Sequence, residues 1–160
     1  MRYTLIDRIV ELEPGSRIVA VKALSLAEEY LDDHFPLFPV MPGVLMLEAM
    51  TQTAAWLIRR SEDFAHSMVV LKEARNVKYA DFVEPGQSLT VTCEITGQDE
   101  RETKIKASGT VDGRAAVSAR LVLERYNQSE TEPHRAPLDD YTKRDLRELF
   151  RLLYPAEAAE

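Results

Sequence analysis

One cysteine stands in 160 residues. Cys93 therefore has no partner for an internal disulfide. It falls on the apolar face of an expected strand, where it reads as a small buried hydrophobe rather than a nucleophile. That usage fits a reducing, cytoplasmic compartment. Glycine is scarce too, at six, and neither a phosphate-cradling loop nor a dinucleotide fingerprint can be assembled from those six. The three histidines, His34, His66 and His134, are scattered. With no H-E-x-x-H and no paired Cys/His spacing, neither metal nor cofactor is expected. No apolar run is long enough to span a bilayer, and the first residues carry no signal-peptide pattern. Positive charge is outnumbered, 20 Lys and Arg against 27 Asp and Glu, for a net charge of −7. Such a chain lacks the basic footprint of general nucleic-acid binding. What is present, 45% hydrophobic and 29% charged residues, describes a globular domain whose core needs no disulfide or metal.

The most informative stretch is 33–56, DHFPLFPVMPGVLMLEAMTQTAAW. Pro36, Pro39 and Pro42 each fix φ and push the preceding residue out of the α region, so this is a stiff loop. From Val44 to Ile58 there is neither glycine nor proline, and Pro42 suits a first helical position. Val44, Leu47, Met50, Ala54, Leu57 and Ile58 make that helix apolar nearly all round, as a core helix is. Glu48 is its only charge before Arg59. Thr51, Gln52, Ala55 and Arg59 share its face at helical spacing. That stripe either faces solvent or lines a site. His34 likewise reads either as a loop residue or as a proton carrier placed before a helix N-terminus, whose free N–H groups suit a carbonyl oxygen gaining negative charge.

Around this helix the chain alternates. Residues 3–11 and Arg17–Leu26 flank the turn Glu13-Pro14-Gly15-Ser16 and predict a hairpin. Met68–Leu71 is a short buried strand, and 74–82 continues extended. Ser88–Gly97 places Leu89, Val91, Cys93 and Ile95 on one face, and Thr103–Val111 repeats the pattern. Asp112-Gly113 is a two-residue hairpin signal leading into Arg114–Tyr126. A sheet with one apolar face needs a cover, and the helix at 44–58 is the one on offer. The expected class is α+β, a curved antiparallel sheet wrapped around one central apolar helix. The divisions are 1–126 for this domain, 127–138 for a polar linker, and 139–154 for a C-terminal amphipathic helix. In that tail Arg144, Arg147 and Arg151 are offset by five acids between Asp139 and Glu157, which disfavours a membrane-surface role.

His34-Phe-Pro-x-x-Pro-Val-Met-Pro-Gly43-Val-Leu, followed by Glu48-Ala-Met-x-Gln52, resembles the signature of the FabZ-type (3R)-hydroxyacyl-[acyl-carrier-protein] dehydratases. Asp7-Arg8, Leu12-Glu13-Pro14-Gly15, Val83-Glu84-Pro85-Gly86 and Val111-Asp112-Gly113 extend the resemblance over residues 2–126. The related FabA-type enzymes carry Asp at the position of Glu48. Two departures stand out: Leu37 where the family usually has glycine, and Asp81-Phe82 where it often has Arg-Pro. The tail beyond 126 is an addition to the family pattern.

The resemblance implies a hot-dog fold and dehydration of acyl-carrier-protein-bound 3-hydroxyacyl thioesters to trans-2-enoyl thioesters. It implies a homodimer, alone or as a trimer of dimers, with His34 and Glu48 meeting from opposite subunits. The N–H groups of Gly43 and Val44 would hold the thioester oxygen, with Pro42 and Gln52 in support. How His34 and Glu48 divide the proton transfers stays open, including a single-base scheme in which Glu48 orients a water or the hydroxyl. The carrier protein is itself acidic, so a local basic patch is expected, with Arg59, Arg60, Arg75 and Lys78 as candidates. Competing readings are a hot-dog acyl thioesterase, a dehydratase of a specialised pathway, and a non-catalytic acyl-binding or scaffolding subunit.

Overall fold

The alternating stretches form six strands in a computed structural model that describes residues 3–155; Met1, Arg2 and 156–160, Glu157 among them, lie outside the described residues. The strands are β1 (Arg8–Glu13), β2 (Arg17–Ala23), β3 (Met68–Tyr79), β4 (Ser88–Gln98), β5 (Glu102–Val111) and β6 (Arg114–Tyr126). They make one antiparallel sheet in the order β1-β2-β4-β5-β6-β3. The two extended pieces expected at 68–71 and 74–82 are one strand, β3. It absorbs the interruption as register shifts at Leu71/Glu73 and Arg75/Lys78, with Asn76 at φ 52°. Asp112 and Gly113 both take positive φ, 49° and 75°, the signature of the tight β5–β6 hairpin.

Helix α1 (Gly43–Ser61) lies in the concavity and touches β2, β3, β4, β5 and β6. Met46, Ala49, Met50, Ala54, Leu57 and Ile58 are buried against Ile18, Leu89, Val91, Ile105, Leu121 and Leu123. Each such large side chain contributes roughly 1.5–3 kcal/mol. Cys93 is fully buried beneath α1, and burial pushes its thiol well up from the usual range, so it is inert there. This is the hot-dog arrangement. No helix among the described residues is long and apolar enough to cross a membrane.

Pro42 is not the first helical residue, as its sequence position suggests, but the N-cap. Its ψ of 137° is extended, and its carbonyl accepts from the Leu45 and Met46 N–H groups. The helix starts at Gly43 as a result.

Helix α2 (Ala136–Leu153) begins three residues before the expected Asp139. Before it, 127–135 is held in two 3-10 turns rather than left extended. Asp139 anchors both segments: it accepts from Ser67 Oγ, from the Gln128 N–H at 3.0 Å and from the Ser129 N–H at 2.9 Å. Burial pushes its carboxyl up, but these donors outweigh that effect and hold it well below the usual carboxylate range. Phe150 packs on Trp56, Phe64 and Tyr154, and Arg147 pairs with Asp63 at 2.9 Å while lying over the Phe64 ring. The tail helix is thus docked on the C-terminal half of α1.

Candidate active site

The proline loop closes on His34. The Val40 N–H donates to the His34 carbonyl at 3.0 Å, and the ring Nδ1 lies 2.8 Å from the Val40 carbonyl. A carbonyl can only accept, so Nδ1 carries a proton, and the tautomer this selects has its lone pair on Nε2. Phe35 and Phe38 exchange main-chain bonds across the tip, where Leu37 stands fully exposed. The Met41 N–H reaches the Val83 carbonyl, which ties the loop's end to the sheet.

His34 lines a pocket of about 340 Å³ with Val40, Met41, Gly43, Met46 and Tyr79–Phe82. Its floor is the start of α1. The Gly43 and Val44 N–H groups have no acceptor among the described residues, as first-turn donors do not. A Cβ on Gly43 would sit 3.0 Å from the Tyr79 ring, so glycine is what lets that ring close over the helix start. At the rim, Asp81 pairs with Arg114 at 3.1 Å, and Phe38 meets Phe82 edge to face.

Glu48 sits elsewhere. Five residues past Gly43 it projects about 140° further round the helix axis. The stripe it heads lines a second groove of about 200 Å³, with Thr51, Gln52, Ala55 and Arg59 below and residues of α2 beside. Glu48 is half-buried rather than solvated. The Gln52 amide donates to Glu48 Oε1 at 3.0 Å and to the Tyr3 carbonyl at 2.9 Å, while its own oxygen accepts from the Leu5 N–H at 2.9 Å. Within one chain, then, the histidine and the acid open onto separate cavities with no lining residue in common.

The four candidate carrier contacts do not share one surface. Arg59 lies in the Glu48 groove, its guanidinium over the Trp56 ring at 5.2 Å, and burial lowers its pKa to about 10. Arg60 is half-buried in the last turn of α1. Arg75 pairs with Glu73 at 2.6 Å. Lys78 lines a shallow hollow on the outer face of the sheet with Lys106 and Arg120. Register puts Lys106 opposite Arg120, and Arg120 opposite Arg75. Lys106 and Arg120 were not picked out from the sequence, because only strand pairing brings positions 78, 106 and 120 together.

A sheet wrapped round a buried helix, with a loop histidine held at the helix start, defines a hot-dog protein with a pocket at the helix N-terminus. The profile of the FabA-like domain matches residues 1–120, and the chain belongs to that family, in its FabZ-type branch. It is 37% identical over 119 residues, 74% of this chain and 84% of the relative, to a 3-hydroxyacyl-[acyl-carrier-protein] dehydratase FabZ of Ruminiclostridium cellulolyticum. Among solved structures it resembles the dehydratase heterocomplex ApeI:P from Xenorhabdus doucetiae, with a TM-score of 0.65 at 18% identity, covering 83% of this chain and 90% of that one. A hypothetical thioesterase with coenzyme A from Streptococcus pneumoniae shares the fold, with a TM-score of 0.55 at 14% identity over 74% of this chain and 84% of that one.

Proposed function

We propose that this chain removes water from (3R)-3-hydroxyacyl thioesters carried by acyl carrier protein, giving trans-2-enoyl thioesters. The observation that carries this reading is the His34 ring, held at Nδ1 by Val40 O beside the first N–H groups of α1. In the proposed step Nε2 takes the C2 proton, and the electron pair moves onto the thioester oxygen, where the Gly43 and Val44 N–H groups hold it. As that pair returns, the C3–O bond breaks and Glu48 supplies the proton with which the hydroxyl leaves as water. Gln52 fixes the carboxyl that does this, and Pro42, as the cap, leaves the two N–H groups free.

Because His34 and Glu48 open onto different cavities of one chain, the reactive pair is assembled from two copies. The long edge strand β3 and exposed Phe35, Phe38, Val44 and Phe82 beside the His34 pocket support such pairing. The carrier's acidic surface is proposed to meet the Lys78/Lys106/Arg120 hollow. Lys78 immediately precedes Tyr79 of the pocket wall.

The test is hydration of a crotonyl thioester followed by loss of enoyl absorbance, with free thiol measured in parallel. Wild type hydrates without releasing thiol. His34→Ala and Glu48→Gln each lose at least about 10²-fold in kcat while keeping wild-type size and unfolding behaviour. Wild-type turnover in either variant overturns the assignment, and thiol release would point to a thioesterase instead.

A further inference from the structure

The family pattern ends near residue 126, yet α2 supplies two of the walls of the groove headed by Glu48. Leu146 and Leu149, both half-buried, face Ala55, Trp56 and Val69 across it. The helix is not a loose tail. Asp139 ties its start, Arg147 ties its middle, and Phe150 and Leu153 are buried near its end. The space left is about 200 Å³, little more than the roughly 150 Å³ that holds a benzene. At the far end Arg59 lies over Trp56, and its Nε is buried with no hydrogen-bond partner among the described residues. An alkyl chain growing from Glu48 would thus meet two leucines at the side and a desolvated cation ahead, and running apolar chain against that cation costs further desolvation.

Resting on the reading of Glu48 above, we propose that this groove receives the tail of the acyl substrate and that Leu146 and Leu149 of α2 set its length, admitting short acyl chains and excluding long ones. They are specificity-determining residues that shape the groove and carry no proton. The C-terminal helix is in this sense part of the substrate site.

The 160-residue chain reports on this directly, because Trp56 is its one tryptophan and lines the groove. The probes are acyl-pantetheine amides, inert analogues of the thioester, with chains of four, eight and twelve carbons, titrated against Trp56 fluorescence. Wild type responds to the four-carbon probe, with affinity falling sharply by twelve. Leu149→Ala, and separately Leu146→Ala, raise the ratio of twelve-carbon to four-carbon affinity by about tenfold or more, while Leu149→Phe lowers the ratio of eight-carbon to four-carbon affinity. Turnover of the matching enoyl thioesters shifts the same way in kcat/KM. Should one alanine variant fail to fold, the other alanine variant and Leu149→Phe still decide the matter. A length profile that is flat in wild type, or unmoved by any of these substitutions, overturns the proposal. If the probes bind in the expected order but no enoyl thioester is hydrated, the groove assignment stands and the dehydratase reading falls.

Discussion

At the scale of single residues, Gln52 joins three parts of the molecule. One amide holds Glu48, the Tyr3 carbonyl and the Leu5 N–H. Each such bond is worth roughly 0.5–1.5 kcal/mol, and more when a charged or buried partner is left unmatched. Gln52→Ala is therefore expected to lower stability by about 1–3 kcal/mol and to lower kcat more than it raises KM, since it frees the acid rather than the substrate. Urea unfolding and steady-state kinetics check the two halves separately. Gly109 makes a different demand. A Cβ there would lie 2.7 Å from Val117 and 2.8 Å from Leu89, both within the packed sheet. Gly109→Ala should cost about 1–3 kcal/mol from overpacking alone, read as a lower urea midpoint with an unchanged slope.

At the scale of elements, α1 and α2 owe their positions to different forces. Helix α1 is held by burial on almost every side, so polar changes on its groove stripe leave its place in the core intact. Helix α2 buries mainly Phe150 and Leu153 and depends on polar ties, chiefly Asp139. The Asp139 carboxyl lies below its unfolded value of about 3.9. Its contribution is therefore fully present above about pH 4 and is lost as pH falls toward the folded value. Below about pH 4 the thermal midpoint of wild type should fall faster than that of Asp139→Asn, which has already lost the charge. At pH 7 the variant should be less stable by about 2 kcal/mol or more. Thermal unfolding of both proteins between pH 7 and pH 3 measures this.

At the scale of the whole molecule, the proposed pairing of His34 with Glu48, which open onto separate cavities of one chain, predicts a twofold assembly. On that proposal each complete site of a symmetric pair takes His34 from one copy and Glu48 from the other. Each single variant alone is then inactive. Equal mixing after subunit exchange yields mixed dimers in which one site is wholly wild-type and the other doubly altered. His34→Ala mixed with Glu48→Gln should recover about a quarter of wild-type turnover, with the two proteins unmixed as the control. No recovery after proven exchange would mean that both groups act from the same chain.

The order of elements was legible because each rested on a local periodicity. Alternation at Leu89, Val91, Cys93 and Ile95, the Asp112-Gly113 turn and the glycine-free run after Pro42 need no distant contacts to be read. The motif from His34 to Glu48 was legible for the same reason, being one continuous stretch. Sequence alone thus determined a sheet wrapped on a core helix, the family, and the two groups to suspect. Tertiary structure decided what depends on residues far apart in the chain. Strand register made a basic hollow of Lys78, Lys106 and Arg120. Side-chain ties across the fold turned 127–135 from linker into anchored turns and laid Leu146 and Leu149 beside Glu48. Helical rotation between Gly43 and Glu48 sent acid and histidine to different cavities, a separation set by geometry around an axis rather than by distance along the sequence.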